Sequence, residues 1–458
     1  MGGAAFYGLT LVWRELILFA SVGFLIGGID ELAVDVIWLG RSVWRRLFVY
    51  SHHQRSTAET LAAPKNPGLI VVFIAAWDEG DIIGLMLRYT LAVLSHDNYR
   101  IYVGCYPNDS KTLAAARGID SPNLRVIVGR KPGPTTKADC LNTLYCALQN
   151  DEHFDGVRAK AIVLHDAEDV VHPHELRVFD TLIERFDLVQ LPVFPLFNPH
   201  SPWVAGHYCD EFAEAHGKTL VVREALGAAI PAAGVGCAFA RETLAQIATA
   251  KGGQPFDAES LTEDYELGLM IGAMGGKTVL ARLPSGRATV QVNAHFPATL
   301  DAAVKQKARW ITGIALAGYD RLGWSGGIAE TWMRLRDRRA IAAAMLLSIG
   351  YLTILITAVF AIFHFAWKAP MPSLSPMETW LVEVNALLLM GRLVVRAYFV
   401  GRLYGWAQAA MSAPRLVTAN VIAMMAARRA LVRYLKMRRT GIAEWEKTSH
   451  VFPTGLPQ

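Results

Sequence analysis

An apolar run, Ala161-Ile162-Val163-Leu164-His165, ends in Asp166-Ala167-Glu168-Asp169, which sets three carboxylates within four residues. So dense a cluster cannot be buried without compensation. Hard oxygen ligands at the end of a strand suit Mg2+ or Mn2+, and an ion there would bridge the phosphates of a nucleotide donor and stabilise a departing diphosphate. The plainer alternative is an acidic turn capping the next helix. About a hundred residues on, Leu261-Thr262-Glu263-Asp264-Tyr265-Glu266 reads as a helix capped by Thr262 with acidic first-turn residues. The same segment offers Asp264 as a general base that takes the proton of an acceptor hydroxyl as it attacks an anomeric carbon. A third group, Gln306-Lys307-Ala308-Arg309-Trp310, puts an amide, a guanidinium and an indole on one helical stretch. It serves either as an acceptor wall with a charge clamp for the diphosphate or as a Trp-Arg anchor at a bilayer surface.

These groups need a scaffold, and short apolar runs separated by polar helical stretches supply one. Leu69 to Ala75, Arg100 to Cys105, Leu124 to Val128, Ala161 to His165 and Leu188 to Pro192 read as buried strands. Alternation with helices predicts an α/β fold with a mainly parallel sheet, whose functional groups collect at the carboxyl ends of the strands. Outside this region the chain is apolar. Phe6 to Gly28 predicts a membrane span despite Arg14 and Glu15, and Glu31 to Tyr50 an amphipathic helix in the headgroup layer. Ala340 to Trp367, about 40 Å long as a helix, and Thr379 to about Val400 predict two more spans joined by a Pro-rich loop, 368–376. Arg415 to Arg439 pairs an apolar face with a basic one and reads as lying on the membrane. The expected division is 1–65 for the first span and interfacial helix, 66–325 for a cytosolic α/β domain, and 326–458 for the C-terminal spans and amphipathic tail.

Composition agrees with a mixed architecture: the 458 residues are 53% hydrophobic yet 19% charged. The net charge of +5 arises from basic residues beside the apolar segments, among them Arg45, Arg46, Arg334 to Arg339 and Arg428 to Arg439. Attraction to anionic headgroups explains that placement, so no nucleic-acid partner is expected. Cys105, Cys140, Cys146, Cys209 and Cys237 are odd in number and without C-x-x-C spacing, which reads as reduced cytosolic thiols. The first apolar stretch has no small-residue cleavage site and no myristoylation signal, so it is expected to stay as an anchor.

The order of the three motifs, followed by transmembrane segments, resembles the membrane-bound family 2 glycosyltransferases, such as cellulose, chitin and hyaluronan synthases. The resemblance covers about Gly68 to Tyr351. It implies the nucleotide-diphospho-sugar fold called GT-A, a divalent metal and inversion at the anomeric carbon. By position, Asp166 and Glu168 fall on the family's metal-binding Asp-x-Asp, with Asp169 a competing second ligand because Glu replaces Asp. Asp264 falls on the catalytic base, and Gln306, Arg309 and Trp310 on the terminal motif. Ala75-Ala76-Trp77-Asp78-Glu79 is similar to the first strand-loop, whose acidic end lies near the nucleoside. Asp109 occupies the place of the first conserved aspartate, and Lys137 with Asn142 resembles a stretch that reaches the donor. Further segments, Val103 to Asp109, His165 to Pro173, Gln190 to Pro195 and Trp445 to His450, resemble the inner-membrane glycosyltransferases of the bacteriophage adsorption protein B group. That resemblance implies a hexosyltransferase at the cytosolic face of a bacterial inner membrane, taking a nucleotide sugar, UDP-linked by expectation, to a growing surface glycan or a lipid-linked acceptor. It also implies a surface polysaccharide usable as a phage receptor, with an outer-membrane exporter or a separate regulatory protein as partners.

Other readings are weaker. His165, His172 and His174 beside Asp166 suggest zinc, but Pro173 breaks the helical register. Gly129 to Lys137 lacks phosphate-loop spacing. Gly234 and Gly236 mark a tight turn or a close approach to an acceptor. Trp203, His207 and Tyr208 offer a sugar platform or core packing, and Glu383, Arg392 and Arg396 a polymer channel or helix packing. The rival from another class is a non-catalytic receptor or scaffold subunit of a polysaccharide-secretion complex. Intact Asp264 and Asp166 argue against it.

Overall fold

The computed structural model describes residues 3–286, 288–324, 326–440 and 450–453. A single helix, α1 (Gly3–Trp44), opens the chain and closes in a π-helical turn, Arg45–Val49. Strands and helices then alternate as β1 (Leu69–Ala75), α2 (Ile83–Val93), β2 (Tyr99–Cys105), α3 (Ser110–Arg117), β3 (Leu124–Val128), α4 (Lys137–Asp155), β4 (Ala159–His165), α5 (Glu175–Leu182) and β5 (Leu188–Gln190). Next come β6 (Val193–Pro195) and α6 (Val204–Glu214), which runs through a π-helical turn into α7 (Leu220–Ala225). They are followed by β7 (Cys237–Ala240), α8 (Arg241–Ala250), α9 (Glu263–Ala273) and β8 (Thr278–Leu280). Short strands β9 (Pro284–Ser285), β10 (Ala288–Thr289) and β11 (Val292–Ala294) precede α10 (Leu300–Ile311), α11 (Gly318–Leu322) and α12 (Ile328–Arg338). Three long helices, α13 (Ala340–Trp367), α14 (Pro376–Tyr404) and α15 (Trp406–Thr440), are the last described elements.

The main sheet has seven strands in the order β3-β2-β1-β4-β7-β5-β8. It is mainly parallel, with β7 antiparallel to both neighbours. Because side chains alternate along a strand, β1 sends Ile70, Val72 and Ile74 to one core and Leu69, Val71 and Phe73 to another. Helices α2 and α5 cover the first face, and α4, α8 and α9 the second. Each fully buried Val, Ile or Phe contributes roughly 1.5–3 kcal/mol. Two strand expectations change. The run Leu188 to Pro192 stops at Gln190, because Pro192 has no N–H for the ladder, and the chain restarts as β6 beside β11. The short β7 and β8 have too few residues to show a period of their own.

The expected break between a first span and an interfacial helix at Glu31 does not occur, because α1 passes through it intact. Its charges are met inside the structure. Glu31 bonds Arg336 at 3.0 Å and Arg339 at 2.5 Å, Asp35 bonds Lys218 at 2.5 Å, and Lys218 also bonds Glu214 at 2.8 Å. Arg396 pairs with Glu214 at 3.2 Å and Arg392 with Glu31 at 3.9 Å. This network joins α1, α12, the α12–α13 junction at Arg339 and α14 to α6, and it gives Arg392 and Arg396 a packing role. Among the described residues, four helices are long and apolar enough to cross a membrane: Phe6–Val49 with its π-helical turn, Ala340–Trp367, Pro376–Tyr404 and Trp406–Thr440. The last exceeds the expectation for the C-terminal segment. It packs on α10, α14 and α6, and its buried Arg415 bonds Asp210 through Nε at 2.8 Å and Nη2 at 2.7 Å.

Candidate active site

A cavity of about 500 Å³ opens at the carboxyl ends of β1 and β4 and extends to α6 and α10. At its β1 end, Trp77 and Tyr106 meet edge-on at 5.1 Å. Around the end of β4 stand Asp166, Glu168, Lys137 and Asp264, and beyond them Gln306, Arg309 and Trp310 of α10. The three motifs thus line one cavity although more than a hundred residues separate the first from the last.

The carboxylates after β4 divide by role. Asp169 is 1% exposed, and its Oδ2 lies 2.9 Å from His165 Nδ1 and accepts the Asp166 N–H at 3.0 Å. The other His165 nitrogen lies 2.9 Å from Glu175 Oε1. Burial alone would lower the His165 pKa, but Glu175 and Asp169 outweigh it and push it up to about 10. This Asp169–His165–Glu175 chain ties the loop to α5 through Asp169 Oδ2, and His165 has no nitrogen left for zinc. Among the described residues, no group of three His, Cys, Asp or Glu side chains forms a metal-ligand set.

Asp166 and Glu168 face the cavity. Lys137, the first residue of α4, donates to Asp166 Oδ1 at 2.5 Å and to the Gly234 carbonyl at 3.2 Å. Burial would raise the Asp166 pKa, yet Lys137, with smaller contributions from His450 and Arg309, holds it below its ordinary value. Glu168 has a looser basic neighbour, His450, whose Nδ1 lies 3.3 Å from its Oε2. Burial, reinforced by Asp166 and Asp169 and opposed by His450, pushes it up to about 8. Its Oε2 has no hydrogen-bond donor among the described residues. A buried carboxylate oxygen that accepts no hydrogen bond, beside a second carboxylate, is a donor set that fits a hard divalent cation.

Asp264 sits at the start of α9, with Oδ1 accepting the Tyr265 N–H at 2.8 Å. Burial raises its pKa against the pull of Lys137. Gly234, at φ 76°, passes so close that any Cβ there would collide with the Asp264 carboxylate. Thr262 does not cap the helix as expected: its Oγ1 makes no capping bond and has no partner among the described residues. The helix start is held instead by Glu266, which accepts from Ser260 Oγ at 2.7 Å and from Arg321.

Two other expectations change. Asp109 does not line the cavity: it caps α3 by accepting the Thr112 N–H at 3.2 Å and holds the Asp78 N–H at 2.5 Å. It thereby fixes the turn that carries Glu79, which does line the cavity. Asn142 braces the loop before Thr262 through Phe256, donating to its carbonyl at 2.8 Å and accepting its N–H at 3.1 Å. Tyr208 and His207 are buried, and Tyr208 supports the wall from behind, with its ring 5.0 Å from Phe296 and 6.2 Å from Trp310.

The structure adds His450. Its Nδ1 lies 2.9 Å from Glu79 Oε1 and 3.3 Å from Glu168 Oε2. Phe452 anchors this end of the chain against Tyr89 at 5.9 Å. The sequence signal was the resemblance of the Trp445 to His450 tail, which carried no role; within it, 445–449 lie outside the described residues.

A seven-stranded, mainly parallel sheet with an acidic strand end, an Asp264-bearing helix and a Gln-x-x-Arg-Trp helix around one cavity defines a GT-A-type transferase. The glycosyltransferase-like family 2 pattern matches residues 67–313, more than half of the chain, and the chain belongs to that family. It is 34% identical to the bacteriophage adsorption protein B of Escherichia coli K12 and to the bacteriophage N4 adsorption protein B of Escherichia coli O157:H7. Each match covers 98% of this chain and 63% of the relative, so the chain spans less than two thirds of these proteins. Among solved structures, the mannosyltransferase PcManGT of Pyrobaculum calidifontis, in complex with GDP-Man and Mn2+, shares the fold with a TM-score of 0.54 at 15% identity. That match covers 92% of this chain and 99% of the mannosyltransferase.

Proposed function

We propose that the chain transfers a hexosyl group, with inversion, from a nucleotide-diphospho-sugar to an acceptor hydroxyl at the cytosolic face of a bacterial inner membrane. The observation that carries this reading is the convergence of Asp264, the Asp166 and Glu168 carboxylates and Lys137 on one cavity. Trp77 and Tyr106 border the space for the nucleobase. Lys137 and Arg309 supply positive charge to the diphosphate. Asp264, kept desolvated and anchored by one backbone N–H, takes the proton of the attacking hydroxyl. Asp166 and Glu168 would hold Mg2+ or Mn2+, which when bound neutralises charge developing on the leaving diphosphate. A UDP-linked donor and a surface glycan as product follow from the family resemblance. The adsorption-protein relatives support a phage-receptor glycan, with an exporter and a regulatory protein as partners. The basic residues flanking the apolar helices support the cytosolic side for the domain taken as 66–325, between membrane segments 1–65 and 326–458.

The test is release of nucleoside diphosphate by the detergent-purified full chain with Mg2+ or Mn2+ and a panel of UDP-sugars. Metal-dependent release from one donor, abolished by Asp264→Asn, is expected. A donor that binds and stays intact under every condition would turn the reading to the scaffold alternative.

A further inference from the structure

Three rings at the α6–α10 end of the cavity form a continuous wall. Phe212 lies 4.8 Å from Phe296 and 6.2 Å from Trp310, and Phe296 lies 6.5 Å from Trp310. Two polar groups, His295 and Gln306, line the cavity beside this wall. His295 Nδ1 and Gln306 Oε1 are buried and have no hydrogen-bond partner among the described residues. Such atoms carry a desolvation penalty that a ligand relieves by supplying the missing partner.

The position of His295 is fixed from below. Two residues earlier, Asn293 exchanges backbone hydrogen bonds with Val170, at 3.1 Å and 2.7 Å, in the segment just past Glu168 and Asp169. The ring therefore stands between the acidic loop and the aromatic wall on a backbone locked to both. Burial lowers its pKa, which disfavours the cationic ring that an anion would seek. The two cations that flank Gln306 on α10, Lys305 and Lys307, are paired with Asp301 and Glu211. A phosphate oxygen, which only accepts, would leave Gln306 Oε1 unsatisfied. A hydroxyl both donates and accepts and so matches either tautomer of His295 as well as the amide oxygen.

We propose that His295 is a specificity-determining residue that hydrogen-bonds a ring hydroxyl of a saccharide acceptor whose apolar face lies against Phe296 and Trp310. This rests on the transferase reading above and assigns its acceptor end.

The experiment uses the full chain with the donor that turns over and two acceptor probes: the methyl glycoside of the sugar that donor carries, and undecaprenyl phosphate. Transfer to the methyl glycoside is expected, and His295→Ala raises its KM about tenfold while donor KM and metal-dependent donor hydrolysis stay at wild-type values. His295→Asn recovers most of the loss by restoring a polar partner. An unchanged acceptor KM, a parallel rise in donor KM, or transfer only to undecaprenyl phosphate overturns the assignment of His295. Wild-type protein that turns over no donor at all overturns the transferase reading itself and this inference with it.

Discussion

The Lys137 ammonium at the first position of α4 lies 2.5 Å from Asp166 Oδ1 at the end of β4, across 29 residues of sequence. It neutralises the carboxylate that would hold a divalent cation, so lysine and cation compete for Asp166. Lys137→Met is expected to bind Mn2+ about tenfold more tightly than wild type in the absence of donor, measured by calorimetry. Turnover should nevertheless fall, since the charge proposed to face the diphosphate is gone. Weaker Mn2+ binding in the variant would show that Lys137 supports the metal site.

Asp264→Asn keeps the shape and removes the proposed base. Turnover should fall roughly 10²- to 10⁴-fold with the melting temperature and donor affinity retained. A variant within a few-fold of wild type would exclude Asp264 from proton transfer.

Gly234 has a left-handed backbone, and a Cβ there meets Asp264. Gly234→Ala should cost about 1–2 kcal/mol from the backbone alone and reduce turnover beyond that loss of stability, by displacing the carboxylate. Stability and turnover measured on the same preparation separate the two effects.

Burial, then the charge of Asp264, pushes Glu263 up to about 7 from an ordinary 4.5. The folded state therefore retains a proton that the unfolded chain releases between those values. The stabilisation is complete below about 4.5 and is lost as pH rises through about 7, on the order of 3 kcal/mol in all. The melting temperature should drop between pH 5 and pH 8, and Glu263→Gln should flatten that drop. An identical slope in the variant would assign the pH dependence to other groups.

The Arg415 and Asp210 side chains are each 1% exposed and bond each other through two nitrogens. Removing one charge strands the other, so Arg415→Met should destabilise by about 3–5 kcal/mol and loosen α15 from α6. Adding Asp210→Asn should recover part of the loss. Additive losses in a double-mutant cycle would count against a direct pairing.

The sequence by itself determined the groups proposed to carry the chemistry and the kind of scaffold beneath them. Asp166 and Glu168 close a strand whose apolar run is visible within a few residues, and Asp264 and the Gln306–Trp310 segment sit in similarly local contexts. The alternation of β1, and of α2 to α5 with their strands, follows from side-chain period and turn residues, which a short window contains. What depended on distant partners was not legible. Asp109 reads in isolation as a donor-binding residue and Asp169 as a metal ligand, yet folding brings Asp78 to the first and Glu175 to the His165 that the second holds, which ties both into the scaffold. The charges at Glu31 and Asp35 suggested a helix at the membrane surface, whereas Lys218, Arg336 and Arg339 absorb them within a continuous α1. His450, some 280 residues from Asp166, meets Glu168 only through the return of the chain to the α/β domain. Local sequence sets which atoms can react and how each segment twists; only close packing of the whole chain decides which carboxylate is paired and which is left facing the cavity.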